Sequence, residues 1–416
     1  MGVLCGEMTR LEAQEHLVEL AMLADTAGAQ VVETILQERR KIDPATVIGM
    51  GKVREVAQAC ENHEATVVIF DDELSPAQVK NLEKEFKRKV LDRSGLILDI
   101  FAKRARTREA QTQVELAQLE YFYPRLTRQW THLSRQVGGI GTRGPGETQL
   151  EVDRRLIRNR IRVLKENLKR IEKQRNIRRE ARRKFRQVAL IGYTNAGKSS
   201  LMNTLTKSDV FVENRLFATL DATVRSLPLR TFPKVLLTDT VGFIRKLPHN
   251  LVASFRSTLE ETLQADLLVH VIDVSQSFYE DHIITTNDLL TKMDMIQKPR
   301  LLVFNKIDIL DDRDILKEIH VQYPQALFIS AKSGVGLSTL IDRIDEMLRE
   351  NTVENEISIP AGQGRSLDFV HQWADVLDLV YEDSVAIVKY RTSEEGHSRI
   401  LNFMEKQNEI THSHRG

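Results

Sequence analysis

Gly192-Tyr193-Thr194-Asn195-Ala196-Gly197-Lys198-Ser199 follows the apolar run Val188-Ala189-Leu190-Ile191 and leads into Ser200-Leu201-Met202-Asn203. The stretch matches GxxxxGK[ST] where a phosphate-binding loop requires it, after a strand and before a helix. Gly192 and Gly197 permit backbone angles that a side chain forbids, so successive N–H groups turn inward toward phosphate oxygens. Lys198 supplies a point charge for the β- and γ-phosphates, and the Ser199 hydroxyl is placed to ligate Mg²⁺. The helix that begins there turns its positive end toward the same anions. An ordinary glycine turn accounts poorly for all four signature positions together with both flanks.

The motifs that follow come in a fixed order, each at the end of an expected strand. Phe217-Ala218-Thr219-Leu220-Asp221 lies in a polar segment, where a threonine can bring its hydroxyl to Mg²⁺ and its N–H to the γ-phosphate. Val235 to Thr238 reads as a strand ending at Asp239-Thr240-Val241-Gly242; Asp239 can hold Mg²⁺ through water, and the Gly242 N–H can meet the γ-phosphate unobstructed. After the apolar runs Leu267 to Ile272 and Leu301 to Phe304 comes Asn305-Lys306-Ile307-Asp308. The Asp308 carboxylate can accept two N–H bonds from the guanine edge, which adenine cannot offer. Asn305 can bond on the far side of the purine, and the Lys306 stem can cover the ring. Ser330-Ala331-Lys332 closes the series after Ala326 to Ile329, with the Ala331 N–H directed at guanine O6. In this order the motifs imply a guanine-nucleotide domain, an open, mostly parallel sheet with ligand at the carboxyl ends of its strands.

The 416 residues are 41% hydrophobic and 29% charged, a globular composition with room for several domains. No apolar run approaches the about 18 residues a membrane span needs, and MGVLCGEMTR lacks the pattern of a signal peptide. A cytoplasmic location is expected, with peripheral membrane association left open. Cys5 and Cys60 fit a reducing compartment as buried or incidental thiols. Residues 151–187 hold sixteen Lys or Arg against five Asp or Glu, a net +11, so the rest of the chain carries −10 of the overall +1. Such a block is a footprint for a polyanion, foremost nucleic acid, or else a solvated helix face.

Residues 1–106 are expected to form an N-terminal α/β domain. Its helices are placed at Leu11 to Ala27, Lys52 to Cys60 and Ala77 to Lys89, the last with Ser75 as N-cap and Pro76 in its first turn. Its strands are placed at Val31 to Leu36 and Thr66 to Phe70. Ile48-Gly49-Met50-Gly51-Lys52 is either a second phosphate site or a tight turn, and Asp71-Asp72-Glu73 either a metal cluster or a solvated turn. Residues 107–186 read as a helical hairpin. Pro124 breaks the first helix, Gly138 to Gly146 holds five glycines and a proline at the tip, and Ile157, Ile161, Leu164, Leu168 and Ile171 form a coiled-coil-like seam in the second helix. Gly139, Thr142, Arg143 and Gly144 at the tip, with Arg154, Arg155 and Arg158 behind it, are candidate RNA contacts; a flexible linker is the alternative. The GTPase domain is assigned to 187–351. Residues 352–416 are read as a small α/β domain, with a helix in Phe369 to Leu379, a strand in Ser384 to Tyr390 and a polar tail.

Three further segments carry a resemblance to a known family. GGIGTRGPGETQLEVDRR (Gly138 to Arg155), LILDIFAKRARTRE (Leu96 to Glu109) and DDELSPAQVKNL (Asp71 to Leu82) resemble signatures of the HflX group of translation-associated GTPases, and the likeness covers nearly the whole chain. The resemblance implies a GTPase that binds the large ribosomal subunit and its RNA, is stimulated there, and splits stalled or idle ribosomes, with the glycine tip reaching toward the peptidyl-transferase centre. An ATP-binding or RNA-remodelling activity of the N-terminal domain is also associated with that family. Ala222 stands where the family usually has proline, and the C-terminal segment matches loosely.

Hydrolysis of GTP, the substrate, with Mg²⁺ as cofactor draws on Lys198, Thr219 and Gly242 as catalytic candidates and on the remaining motif residues for binding. Position 243 is Phe rather than Gln, a side chain that cannot orient water by hydrogen bonding, so slow intrinsic turnover accelerated by a partner is expected. A monomer suffices for this scheme. Two other readings are a GTP-state module acting on a protein partner and an ATP-driven RNA remodeler working through the N-terminal domain.

Overall fold

The computed structural model describes residues 1–6, 8–126, 149–182, 185–207, 216–220, 222–232, 235–246, 264–310, 314–350, 352–392 and 394–413. Thr9 and Glu12 form a capping box that starts α1 (Arg10–Ala27), and Gly28 at φ +87° ends it. The helix buries Ala13, Leu17, Leu20, Leu23 and Ala24; Leu11 and Val18, part of the expected apolar face, are exposed. Two parallel pairs of strands follow: β1 (Gly2–Leu4) with β2 (Leu36–Glu38), and β3 (Val67–Phe70) with β4 (Lys89–Asp92). Met1 joins them, its amino group donating to Ile69 O at 2.8 Å and its carbonyl accepting from Asp71 N at 3.0 Å.

Residues 31–35 are not strand; the strand starts only at Leu36. The helix α2 spans Met50–Asn62, and α3 (Pro76–Phe86) begins at a Ser75–Gln78 capping box with proline in its first turn, as the sequence predicts. It stops three residues early, where Lys87 takes φ +52° and the chain turns into β4. Asp92 then caps α4 (Arg93–Arg104).

The helix α5 (Arg108–Phe122) runs into a short 3₁₀ turn at Tyr123–Arg125, where Pro124 removes the donor a continuing helix needs. The basic helix α6 (Gln149–Arg182) packs along α5 through Ile157 and Leu164, the most buried members of the predicted seam. Arg160 to Glu115 (2.6 Å) and Lys165 to Glu120 (2.8 Å) flank that contact. The tip candidates Gly139, Thr142, Arg143 and Gly144 lie outside the described residues.

The largest sheet has the order β10-β9-β8-β5-β7-β6, with β5 Arg186–Ile191, β6 Thr223–Leu227, β7 Val235–Asp239, β8 Leu267–Asp273, β9 Arg300–Asn305 and β10 Leu327–Phe328. Every pairing is parallel except β6 with β7. Every residue of β8 is buried, as expected of a parallel strand covered on both faces. Val188 and Leu190 share a core with α7 (Lys198–Thr206) and the C-terminal helix of this unit. Ala189 and Ile191 face the opposite layer with Leu290. That layer holds α8 (Tyr279–Lys292) and α9 (Asp314–Gln322), and the first-named face also carries α10 (Leu337–Glu350).

The C-terminal part is an antiparallel sheet ordered β11-β13-β12, comprising Val353–Pro360, Val385–Thr392 and Asp375–Glu382, with α11 (Gly364–Trp373) and α12 (Glu394–Ser413). The helix expected through Leu379 ends at Trp373, and Asp375 onward pairs with β13 instead: strand pairing overrides the local helical pattern. The expected polar tail is helical to Ser413, with Ile400 and Met404 packed on the sheet.

One core crosses the expected boundary between the N-terminal and nucleotide-binding parts. Ile97, Ile100 and Phe101 of α4 and Leu20 and Leu23 of α1 share a cluster with Tyr193, Leu216, Phe217, Val241 and Ile244. Phe101 meets Phe217 edge-on at 4.6 Å. Among the described residues no helix is long and apolar enough to cross a membrane.

Candidate guanine-nucleotide site

The turn from β5 into α7 requires its glycines. Gly192 has φ +140° and Gly197 φ +92°, and a Cβ at either would collide, with Val271 O and Asn305 Nδ2 respectively. Lys198 is buried, and its Nζ donates to the carbonyls of Gly192 (3.1 Å) and Tyr193 (2.8 Å). Burial lowers its pKa to about 8 against the opposing pull of Asp239.

Three oxygens predicted to serve a metal converge. Ser199 Oγ lies 2.7 Å from Thr219 Oγ1 and 2.5 Å from Asp239 Oδ2. Asp239 is fully buried, which raises its pKa, and its Oδ1 has no hydrogen-bond partner. A buried carboxylate oxygen without a donor, beside two hydroxyls, suits a small hard cation, so the donor set fits Mg²⁺. Ser199, Thr219 and Asp239 would hold it, directly or through water, and it would neutralise charge on the phosphates.

The two segments around the γ-phosphate end are tied to the phosphate loop. Phe217, at φ +55°, donates its N–H to Thr194 Oγ1 at 2.8 Å; Ala218 and Leu220 flank Thr219, and Asp221 lies outside the described residues. Thr194 N donates to Phe243 O at 2.7 Å, Phe243 N to Gly192 O at 3.1 Å, and Thr240 Oγ1 to Leu190 O at 2.7 Å. Gly242 packs so closely that a Cβ there would sit 2.6 Å from Thr194 Cα. The Phe243 side chain is buried with Ile191, Leu268 and Leu290.

At the base end, Asp308 is exposed on a 3₁₀ turn after Lys306, which adopts φ +69°. Asn305 bonds within the protein. Its Nδ2 donates to Ala196 O and its Oδ1 accepts from Ala331 N, both at 2.9 Å, so it ties the phosphate loop to the Ser330 turn. The Ala331 N–H assigned to guanine O6 is thus engaged by Asn305, because the buried amide must satisfy both of its ends within the protein. Ser330 is buried and accepts from Ser333 N, while Lys332 is exposed. Lys306 Nζ pairs with Asp273 Oδ2 at 2.7 Å, a partner at the end of β8 that no motif marked.

Two weaker expectations are sharpened. The Gly49 N–H, at the N-cap of α2, donates to Gln37 Oε1 (3.1 Å), and Lys52 pairs with Glu55 inside that helix, so the segment is a helix start with its first glycine amide and its lysine already engaged. Asp71 and Asp72 bind Lys246, Asp71 also binds Arg93, and Glu73 accepts from Ser94. Asp71 is thus a buried ion-pair partner, while Asp72 is half-buried and Glu73 exposed, and among the described residues no acidic cluster is arranged to hold a metal. Of the basic candidates, Arg154, Arg155 and Arg158 are exposed on α6, and Arg158 donates to Tyr123 Oη at 2.7 Å.

Family models match in chain order: GTP-binding GTPase N-terminal at residues 14–102, GTP-binding GTPase Middle Region at 104–182, and 50S ribosome-binding GTPase at 187–306. A GTPase HflX from Caldanaerobacter subterraneus subsp. tengcongensis is 45% identical over 411 residues, spanning 97% of this chain and 93% of the relative. The chain belongs to the HflX family of GTPases. The Escherichia coli K12 GTPase HflX is 46% identical over 360 residues, 86% of this chain and 84% of the relative. A solved structure of SsGBP with GDP is similar over 83% of this chain and 97% of that one, at 25% identity and a TM-score of 0.46. As an HflX-family member the chain is a P-loop GTPase.

Proposed function

We propose that this GTPase binds the large ribosomal subunit in its GTP state, dissociates stalled or idle ribosomes, and is stimulated there to hydrolyse GTP. The observation that carries the reading is α6. This helix exposes Arg154, Arg155 and Arg158 and is followed, three residues on, by the strand that leads into the phosphate loop. Phosphate contacts from such a helix position a protein on RNA, and the helix directly precedes the nucleotide-binding part in the chain. The glycine tip from Gly139 to Gly144 would extend the contact.

Within the site, Lys198 and the amides of Asn195 to Ser199 would bind the phosphates, and Asp308 with Lys306 would select guanine. Gly242 N–H and Thr219 would sense the γ-phosphate. With Phe243 turned into the core, no side chain at that position orients water, which supports slow turnover without a partner. Sedimentation of ribosomes with the full chain and a non-hydrolysable GTP analogue tests the proposal. Co-migration with large subunits is expected, and absence of ribosomal association in every nucleotide state refutes it.

A further inference from the structure

We propose that Asp273, at the end of β8, is a positioning residue for guanine binding: it anchors the Lys306 ammonium, so that the lysine stem is in place before the purine arrives. This role rests on the base-selecting part proposed above for Lys306 and Asp308. Asp273 reaches that turn through the sheet. It is the last residue of β8 and the register partner of Asn305, which ends β9, and Val274 N donates to Asn305 O at 3.1 Å. Lys306 is the first residue beyond that ladder on the neighbouring strand, and its Nζ meets Asp273 Oδ2 at 2.7 Å.

Both carboxylate oxygens of Asp273 are engaged. Oδ1 accepts from Ser275 N at 3.1 Å and from Ser275 Oγ at 2.6 Å, while Oδ2 accepts from Lys306. The carboxylate cannot rotate away from Lys306 without also breaking the Ser275 turn, so the ammonium has a fixed anchor. The Asp273 side chain is 6% exposed, against 23% for Lys306. Burial on this scale separates the contact from a surface ion pair, which water screens and side-chain freedom weakens. A carboxylate this deep needs a cation, and Lys306 supplies it.

Lysine is among the side chains with the most rotamer freedom to lose on binding. An ammonium tied to Asp273 has given up that freedom beforehand, so covering the purine with the stem carries a smaller ordering cost. Lys306 and Asp308 act on different parts of the base. The stem covers the ring face, while the Asp308 carboxylate on the following 3₁₀ turn meets the edge. Asp273 therefore contributes to affinity for any purine that offers the same face, and leaves the choice among edges to Asp308. The phosphates rest on other groups, Lys198 and the phosphate-loop amides, so the anchor bears on KM rather than kcat.

The test uses the full chain in calorimetric titrations with GDP and with IDP, whose base keeps the purine face but lacks the 2-amino group on its edge. Asp273→Asn should bind both about tenfold more weakly and hold the ratio of the two affinities within about twofold. In GTP hydrolysis the loss should appear in KM rather than kcat. Lys306→Ala removes stem and ammonium together and should also weaken GDP. Adding Asp273→Asn to it, which leaves no unpaired charge, should cost nothing further, because Asp273 acts through Lys306. Asp273→Glu keeps the charge and should recover part of the loss. Ser275→Ala, which frees one side of the carboxylate, should weaken both nucleotides about threefold, and it carries the test in the same way should Asp273→Asn fail to fold. Unchanged GDP affinity in Lys306→Ala would overturn the base-site reading and the proposal with it. Unchanged affinity in Asp273→Asn while Lys306→Ala is weakened, a shifted GDP to IDP ratio, or multiplying losses in the double variant would overturn the proposal and leave that reading standing.

Discussion

Gly242→Ala is the perturbation with the best-defined consequence. The added Cβ would lie 2.6 Å from Thr194 Cα and 2.9 Å from its Cβ, against ordinary contact at 3.4–4 Å. The phosphate loop and the Gly242 segment must therefore separate by roughly 1 Å, a displacement of the size that costs about 10²-fold in rate when it misplaces a reacting group. Neither side yields easily: Thr194 N–Phe243 O at 2.7 Å and Phe243 N–Gly192 O at 3.1 Å lock the two backbones together. The expected outcome is a fall of about 100-fold in single-turnover GTP hydrolysis, equivalent to about 2.7 kcal/mol of transition-state stabilisation. GDP makes no demand on the γ-phosphate end, so its affinity, measured by titration with a fluorescent analogue, should change by less than about threefold. Hydrolysis within threefold of the unaltered protein would show that the backbones relax without moving the Gly242 N–H, and would refute the reasoning.

Two other outcomes follow from the same geometry. Lys198 titrates at about 8 in the nucleotide-free chain, and polyphosphate would raise it, so GDP binding at pH 8 should take up about half a proton. Calorimetry in buffers of different ionisation enthalpy measures this, and zero proton exchange would contradict it. By the same linkage the unfolded lysine, near 10.5, binds more protons than the folded one between pH 8 and 10.5, so this group's contribution to the stability of the free protein rises with pH across that window. Phe101→Ala should cost about 3–5 kcal/mol in urea unfolding, because the ring is buried and packs edge-on against Phe217; a loss under about 1 kcal/mol would show that the shared core is not cohesive.

Much of the nucleotide-binding part was legible from residues alone, because its chemistry is local. Gly192 and Gly197 are needed by the turn in which they sit. Ser199 and Asp239 converge because they follow or end neighbouring parallel strands of one sheet, and Thr219 meets them from the segment before β6. The Ser75 cap was equally readable, since it sits directly before Pro76 and the helix it starts, whereas the capping box at Thr9 was not read. Asn305 shows the limit within a motif. Its identity was plain, but only the fold reveals that each end of its amide also bonds within the protein, to Ala196 and Ala331, residues 109 and 26 positions distant.

What the sequence by itself determined is a GTPase of the HflX family, with the phosphate loop, the base-selecting tetrad and the basic helix in their order. What only the tertiary structure decided is how the N-terminal part meets that machinery. Glu19 and Tyr193 lie 174 residues apart and Glu19 and Arg245 226 apart, and no periodicity or spacing encodes such pairs. Asp71 was visible as an acid, but its partner Lys246 became visible only when α1, α4 and the segment after Gly242 packed their apolar faces against one another and brought the two side chains within 2.7 Å.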